Sequence, residues 1–235
     1  MYANARIIAV SLLLCATLTR AAEKPFADKY SVAPDEWTSV CSNAWFILEP
    51  GYTLVLEGKE DGKPIRLTIT VLDETRRVDG VETRIVEERE TMNGQLVEVS
   101  RNYFAASKKT QDVYYFGEDV DTYRDGKLTG HGGSWHAGEK GAKFGLMMPG
   151  KPQVGQRFYQ ELAGKVAQDR AEIVSVTESL ETPAGKFPNC LKTEETTPLE
   201  PGAKEYKAYA PGIGLVQDGE LLLSRSGKLA KPSRP

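Results

Sequence analysis

Residues 64–105 decide the fold: they read PIRLTITVLDETRRVDGVETRIVEERETMNGQLVEVSRNYFA. Apolar and polar side chains alternate through residues 65–71, which is the period of a β-strand with one buried face. Asp79-Gly80 and Asn93-Gly94 interrupt the alternation. Both dipeptides tolerate positive φ at the two central positions of a type I′ turn, whose twist matches that of the strands it joins. The stretch therefore predicts antiparallel strands joined by tight hairpins.

The same pattern continues on both sides of this stretch. Asp61-Gly62 and Asp125-Gly126 are further hairpin signals. The meander is predicted to contain strands at residues 52–57, 64–73, 81–92, 96–105, 113–123 and 127–130. The second half is more irregular, with strands expected at residues 156–162, 171–180, 187–196, 204–210 and 215–224. No segment of ten or more residues carries the apolar stripe of a helix.

The fold class is therefore all-β, with little helix. A chain of hairpins must bury one face of each strand, so the sheet is expected to be a curved open sheet, a barrel or a sandwich. Glycines at 117, 132, 133 and 145 fall in or near strand-like segments, where glycine marks bulges and bends. These positions favour strong curvature without deciding among the three architectures.

The N-terminus has the features of an export signal. Arg6 precedes an apolar run at residues 7–18, which is too short to span a membrane, and small residues permit cleavage near Ala21. We expect a signal peptide at 1–21 and a periplasmic or secreted protein without a transmembrane segment in the mature chain. Lipidation of Cys15 is the alternative. The remaining chain is divided into a flexible segment at 22–36, one β-rich domain at 37–226 (with candidate halves 37–130 and 131–226) and a frayed tail at 227–235.

Composition narrows the classes of function. The formal charge of −3 argues against nucleic-acid binding, which needs a basic face. The sequence contains neither the Gly-x-Ser-x-Gly nucleophile motif nor the Gly-rich phosphate loop that ends in Gly-Lys-Ser/Thr. We therefore expect no cofactor.

Four strings carry a family resemblance: VYYFGED at 113–119, SWHAGEKGA at 134–142, TPAGKFPNCL at 182–191 and YAPGIGLV at 209–216. They resemble a family of secreted bacterial all-β proteins usually described as uncharacterised. The last two are also similar to closing hairpins of periplasmic curved-sheet proteins of the lipoprotein-carrier kind. The resemblance implies an all-β fold and an extracytoplasmic location, and it implies no reaction.

Aromatic residues are the candidates for a ligand site. Tyr103, Tyr115, Trp135, Phe144 and Tyr159 can line an apolar pocket in a curved sheet. The alternative is that these side chains form ordinary core, which any β-domain needs.

Acidic residues offer two further candidates. Asp119, Asp121 and Asp125 are close enough in sequence to bind calcium, although their spacing departs from the EF-hand pattern and a solvated strand edge is the alternative. His131 and His136 supply only half of a zinc site, so no metal site is assigned to them. Glutamates at 87, 88 and 90 can supply paired carboxylates for hydrolysis, or simply form the hydrated face of a hairpin.

The last candidate is a disulfide. Signal removal would leave Cys41 and Cys190, and thiols tend to pair in an oxidising compartment. We expect a Cys41–Cys190 bond, with two small buried apolar side chains as the alternative.

Together these features predict an exported, non-catalytic binding or envelope-associated accessory protein. Its ligand would be a lipid or another apolar or amphipathic molecule held by the curved sheet. A structural module with a protein partner in the envelope is the alternative, followed by a carboxylate-based hydrolase.

Overall fold

The computed structural model describes residues 24–228. The predicted signal peptide, Cys15 and most of the predicted tail lie outside the described residues. Gly227 and Lys228, which we assigned to the tail, belong to the last strand.

Antiparallel β-strands make up almost all regular structure in this part of the chain, so the all-β prediction is confirmed. The strands are β1 Trp37–Thr38, β2 Tyr52–Glu60, β3 Lys63–Val78, β4 Val81–Met92, β5 Gln95–Ser107, β6 Val113–Arg124, β7 Lys127–Gly130, β8 Trp135–His136, β9 Lys143–Met148, β10 Arg157–Tyr159, β11 Glu161–Leu162, β12 Arg170–Thr182, β13 Gly185–Thr196, β14 Glu205–Ala210, β15 Gly214–Asp218 and β16 Leu221–Lys228. The only helical element between residues 24 and 228 is the 3₁₀ turn Pro34–Glu36. No helix described there has the length and apolar character needed to cross a membrane.

The first half forms the predicted meander from β2 to β7. Asp79 and Gly80 have φ of 46° and 77°, and Asn93 and Gly94 have φ of 51° and 76°. Positive φ at both central positions is what the two-residue hairpins require. Strands β4 and β7 have the predicted bounds, because tight turns flank both ends of β4 and the start of β7.

The sixteen strands form one sheet that is nearly closed into a barrel. Thirteen of them follow the order β10-β12-β13-β14-β15-β16-β2-β3-β4-β5-β6-β9-β11, while β1 pairs with β5, and β7 and β8 pair with β6. The two outermost strands, β10 and β11, are separated by only one residue, Gln160, so one short stretch of chain joins both ends of the sheet. Strand β16 pairs with β2 and β9 pairs with β6, so strands from both candidate halves belong to the same sheet.

Glycines permit the bends that curve this sheet. Gly117 has φ of 139° and lies at a register shift between β5 and β6. A Cβ at this position would clash with the carbonyl oxygen of Trp135. Gly145 on β9 would clash in the same way with the backbone of Gln160, where the sheet approaches closure. Both positions therefore require the absence of a side chain.

A loop preceding β2 covers one end of the interior. Asn43 holds the loop: its Oδ1 accepts hydrogen bonds from the backbone N–H groups of Trp45 (2.8 Å) and Phe46 (3.1 Å). The Phe46 ring contacts Phe104 of β5, with ring centroids 4.9 Å apart. Gly212 N–H donates to Ala44 O at 2.7 Å and ties the loop to the turn after β14. This end of the sheet is thus filled by aromatic side chains.

The predicted disulfide is wrong, because Cys41 and Cys190 are both free. Cys41 lies in the covering loop and packs against the main core, with its Sγ 3.9 Å from Phe46 O. Cys190 is fully buried on β13 in a second apolar cluster with Leu223, and its Sγ donates to Phe187 O at 3.3 Å. The two thiols occupy separate clusters, so each serves as a small buried or half-buried side chain.

Residues before β1 follow the sheet surface. Ala27 forms a β-bridge with Phe158, and the Tyr30 hydroxyl donates to Tyr159 O at 3.0 Å. This segment therefore contributes contacts at the edge where the sheet nearly closes.

Candidate ligand-binding cavity

The interior of the sheet contains a cavity of about 770 Å³. It opens at the end opposite the covering loop, where the β2–β3 turn at Glu60-Asp61 and the β15–β16 turn at Gly219-Glu220 lie. Its volume falls in the range of about 300–1,000 Å³ that is typical of small-molecule sites.

Strand alternation determines which side chains enter this cavity. Glu88 on β4 opposes Ile69 on β3 and Ser100 on β5. Glu90 similarly lies between Leu67 and Glu98. Because side chains two residues apart share a face, Glu88 and Glu90 point inward together with Val86. Glu87 points outward, where it forms ion pairs with Arg89 (3.6 Å) and Arg101 (3.4 Å).

The cavity lining is strongly charged, with eight carboxylates and four lysines. Glu88 forms neither a hydrogen bond nor an ion pair within the described part of the chain. Burial raises the pKa of Glu88 to about 7; the charge of Lys207 acts in the opposite direction, while Asp218, Glu118 and Glu98 raise it further. Burial also raises the pKa of Glu90 and Glu98. This wall of the cavity therefore carries carboxylates that have no ion-pair or hydrogen-bond partner in the described residues.

The opposite wall contains a compensated charge. Lys207 Nζ on β14 lies 3.2 Å from Asp218 Oδ1 and 3.6 Å from Glu195 Oε2. Burial by itself would lower the pKa of Lys207, but the two carboxylates raise it well above its usual range. Lys207 therefore stays charged and compensates the negative charges of Glu195 and Asp218.

A smaller apolar recess of about 90 Å³ continues the cavity toward the covering loop. Its lining includes aromatic and aliphatic side chains from the loop and the strands: Trp45, Phe46, Tyr52, Leu54, Ile69 and Phe104. Glu88, Lys207 and Asp218 line both spaces, so they lie at the boundary between them. The interior thus changes from a charged mouth to an apolar floor.

The five aromatic residues proposed from sequence do not gather in this cavity. Tyr103 lies on the outer side, where its hydroxyl donates to Asp119 (2.6 Å) and accepts from Arg76 (2.7 Å). Tyr115 stacks on Phe104 at 4.9 Å, and its hydroxyl donates to Asn102 Oδ1 at 2.6 Å.

The other three have packing partners of their own. Trp135 meets Tyr115 edge-on at 5.2 Å, and Tyr159 meets Phe26 at 5.9 Å. Phe144 stacks on Phe116 at 4.7 Å and lines a separate outer cleft of about 540 Å³ beside Trp37. The structure therefore distributes these aromatics around the sheet and brings them to no common site.

Two residues of the acidic cluster proposed for calcium, Asp119 and Asp121, are engaged by basic groups. Asp119 accepts from Tyr103 and Arg76 and lies 2.9 Å from His136 Nε2. Asp121 lies 2.7 Å from His131 Nδ1, and Asp125 occupies a hairpin turn with φ of 52°. Within residues 24–228, no group of three or more His, Cys, Asp or Glu side chains is arranged to hold a metal ion.

Sequence reasoning missed Glu98, Lys207 and Asp218 and left open the role of Glu88 and Glu90. The usable signal was their position: Glu88 and Glu90 lie on the same strand face as Val86. Lys207 and Asp218 belong to strands that pair with each other, which the sequence does not reveal.

Comparisons with protein-family models, with curated proteins and with solved structures found no match for this chain. The fold class that the structure defines is a nearly closed antiparallel barrel, and the functional argument rests on its interior.

Proposed function

We propose that this is a non-catalytic binding protein that holds an amphipathic ligand inside the barrel. The observation that carries the proposal is the change in lining from the charged mouth to the apolar floor of one continuous interior space. A ligand with a polar head and an apolar tail matches both parts. Each methylene group buried at the floor would contribute about 0.8 kcal/mol to binding.

The proposal includes export to the periplasm or the cell exterior. Its support is the apolar run at residues 7–18 behind Arg6, together with the resemblance to secreted proteins. An exported carrier or accessory protein would meet amphipathic molecules of the envelope in that location.

A carboxylate-based hydrolase is the second candidate. A carboxyl group with a pKa near 7, as for Glu88, suits a general acid at neutral pH. Glycosidases, however, place two carboxylates on opposite sides of the bond that is cleaved. Glu88, Glu90 and Glu98 lie on adjacent strands of one wall. On the opposite wall Lys207 binds Glu195 and Asp218, so we favour binding over hydrolysis.

A purely structural interaction module is the third candidate. Such a module gains stability from a filled interior, because core packing is the main source of stability in small domains. The open interior space argues for a ligand instead.

The test is native mass spectrometry and calorimetry with butyl maltoside, butyltrimethylammonium and butyl sulfate, whose short tails suit the recess of about 90 Å³. We expect at least one of them to bind with one molecule per chain. Ile69→Trp fills the apolar floor and should abolish this binding, with Ile69→Phe as a milder version should the first variant fail to fold. Thr68→Trp places the same ring on the other face of β3 and should leave binding intact. Absence of binding by all three amphiphiles, or full binding by a folded Ile69 variant, would refute the proposal.

A further inference from the structure

Three carboxylates of the cavity have no ion-pair or hydrogen-bond partner in residues 24–228, and the charge of Lys207 offsets only part of the pKa rise of Glu88. Glu90 on β4 and Glu98 on β5 are directly opposed in register, which places their Cβ atoms about 4.5–5.5 Å apart. Like charges in such a pair repel each other. Glu88 follows on the same face of β4, deeper in the interior, and none of the three has an ion-pair or hydrogen-bond partner in residues 24–228.

The lysines that line the cavity form no ion pair with this wall. Lys207 is bound by Asp218 and Glu195. Lys204 binds Glu194 Oε1 at 2.8 Å, and Lys192 Nζ lies 4.8 Å from the centre of the Tyr206 ring. The fourth lysine, Lys59, is an exposed residue near the end of β2. A bound cation would therefore supply an ion-pair partner that this wall does not have within residues 24–228.

A second and independent feature lies directly beyond Glu88. The apolar recess begins where the side chain of Glu88 lines both spaces, and Phe46, Ile69 and Phe104 form its floor and walls. A bare metal ion has no apolar part that could fill such a recess. A cation attached to an apolar group would place its charge beside the carboxylates and its tail in the recess.

We infer that the cavity selects organic cations, with an ammonium or guanidinium head held by Glu88, Glu90 and Glu98 and an apolar tail held at the floor. This inference rests on the proposed binding function, and it specifies the chemical class of the ligand. Anionic amphiphiles would face an excess of negative charge in the same cavity and would bind weakly.

Cation binding is coupled to the release of protons. Burial holds part of the wall protonated near neutral pH, because the pKa of Glu88 is about 7. A bound cation stabilises the ionised carboxylate and therefore lowers its pKa. The titratable groups that interact electrostatically with Glu88 are Glu98 on β5, Tyr115 and Glu118 on β6, Lys207 and Tyr209 on β14, and Asp218 on β15; Glu90 on β4 and Glu205 on β14 line the same cavity. Affinity for the cation should rise about tenfold between pH 6 and pH 8 through the ionisation of Glu88.

The experiment compares butyltrimethylammonium, butyl maltoside and butyl sulfate, whose short tails suit the recess of about 90 Å³, by calorimetry on the full protein at pH 6 and pH 8. All three probes carry the same tail, so differences in affinity report on the head group. We expect the cation to bind at least tenfold more tightly than the maltoside at pH 8, and the sulfate to bind most weakly. Glu88→Gln should remove most of this preference and its pH dependence.

Glu87→Gln is the matched control, because it removes a carboxylate from the outer face of the same strand. It should preserve the preference for the cation. Equal binding of the three probes to the unmodified protein would overturn the inference and leave the binding function standing. A preference that survives in a folded Glu88→Gln, Glu90→Gln double variant would also overturn it. Absence of all binding would remove both the inference and the proposed function.

Discussion

Replacing Glu88 by Gln should stabilise the ligand-free protein at high pH. Glu88 carries its charge inside the barrel without an ion-pair partner in the described residues, and burial raises its pKa from about 4.5 to about 7. The folded protein therefore binds the Glu88 proton more tightly than the unfolded chain does. As the pH rises from 4.5 through 7, the unfolded chain gives up this proton first, so the unmodified protein loses stability. A glutamine at this position has no proton to lose.

The size of the effect follows from the change in proton affinity. The rise in the pKa of Glu88 from about 4.5 to about 7 corresponds to about 3 kcal/mol in the free energy of unfolding, because each pKa unit is worth about 1.4 kcal/mol. Part of this penalty is relieved because the side chain keeps some contact with water in the cavity. We therefore expect the free energy of unfolding of Glu88→Gln, relative to that of the unmodified protein, to rise by about 2 kcal/mol from pH 4.5 to pH 8.

Urea unfolding at both pH values measures this gain. Glu74→Gln on the exposed part of β3 is the control, and its stability difference should change by less than about 0.5 kcal/mol over the same range. A difference for Glu88→Gln that is independent of pH, or a loss of stability at pH 8, would refute the assignment of a charge without an ion-pair partner to this position.

Three further predictions concern other parts of the barrel. Lys207→Met leaves two carboxylates of the interior unpaired and should cost about 3 kcal/mol in the free energy of unfolding at pH 7; a cost under about 1 kcal/mol would contradict the ion-pair account. Gly117→Ala introduces a side chain at φ of 139° and against a neighbouring carbonyl, so urea unfolding should report a loss of about 2–3 kcal/mol, and unchanged stability would exclude this geometry. Alkylation in urea without reductant, followed by peptide mass mapping, should label both Cys41 and Cys190; recovery of a peptide that links them would restore the disulfide.

The hairpins of the first half were predictable because their signals are local. The Asp-Gly and Asn-Gly turns define the ends of β4 with no information from the rest of the chain. Closure of the sheet was not predictable in the same way. It depends on β10 and β11, of three and two residues, which pair with strands distant in sequence. Segments this short carry no periodic signal.

The candidate site shows where strand alternation is insufficient. Alternation places Glu88 and Glu90 on one face, but it does not say that this face lines the interior. Glutamates usually lie on a face that contacts bulk water. That preference would place Glu88 and Glu90 on the outer face of the barrel, whereas both point into the cavity. The failed disulfide has a similar cause, because Cys41 and Cys190 meet only if separate parts of the fold bring them together.

Fluorescence quenching of Trp45 tests most directly whether an amphiphile occupies the interior. Trp45 lines the apolar floor, and Trp37→Phe with Trp135→Phe would make it the only tryptophan of the chain. The probe is 4-bromobenzylamine, whose bromine lies at the apolar end opposite the ammonium group and quenches indole only at close range. We predict that one equivalent per chain quenches Trp45 saturably at pH 8. Ile69→Phe fills the apolar floor without adding a second tryptophan, and it should prevent this quenching. Quenching that is absent, or that rises without saturation, would contradict binding inside the barrel.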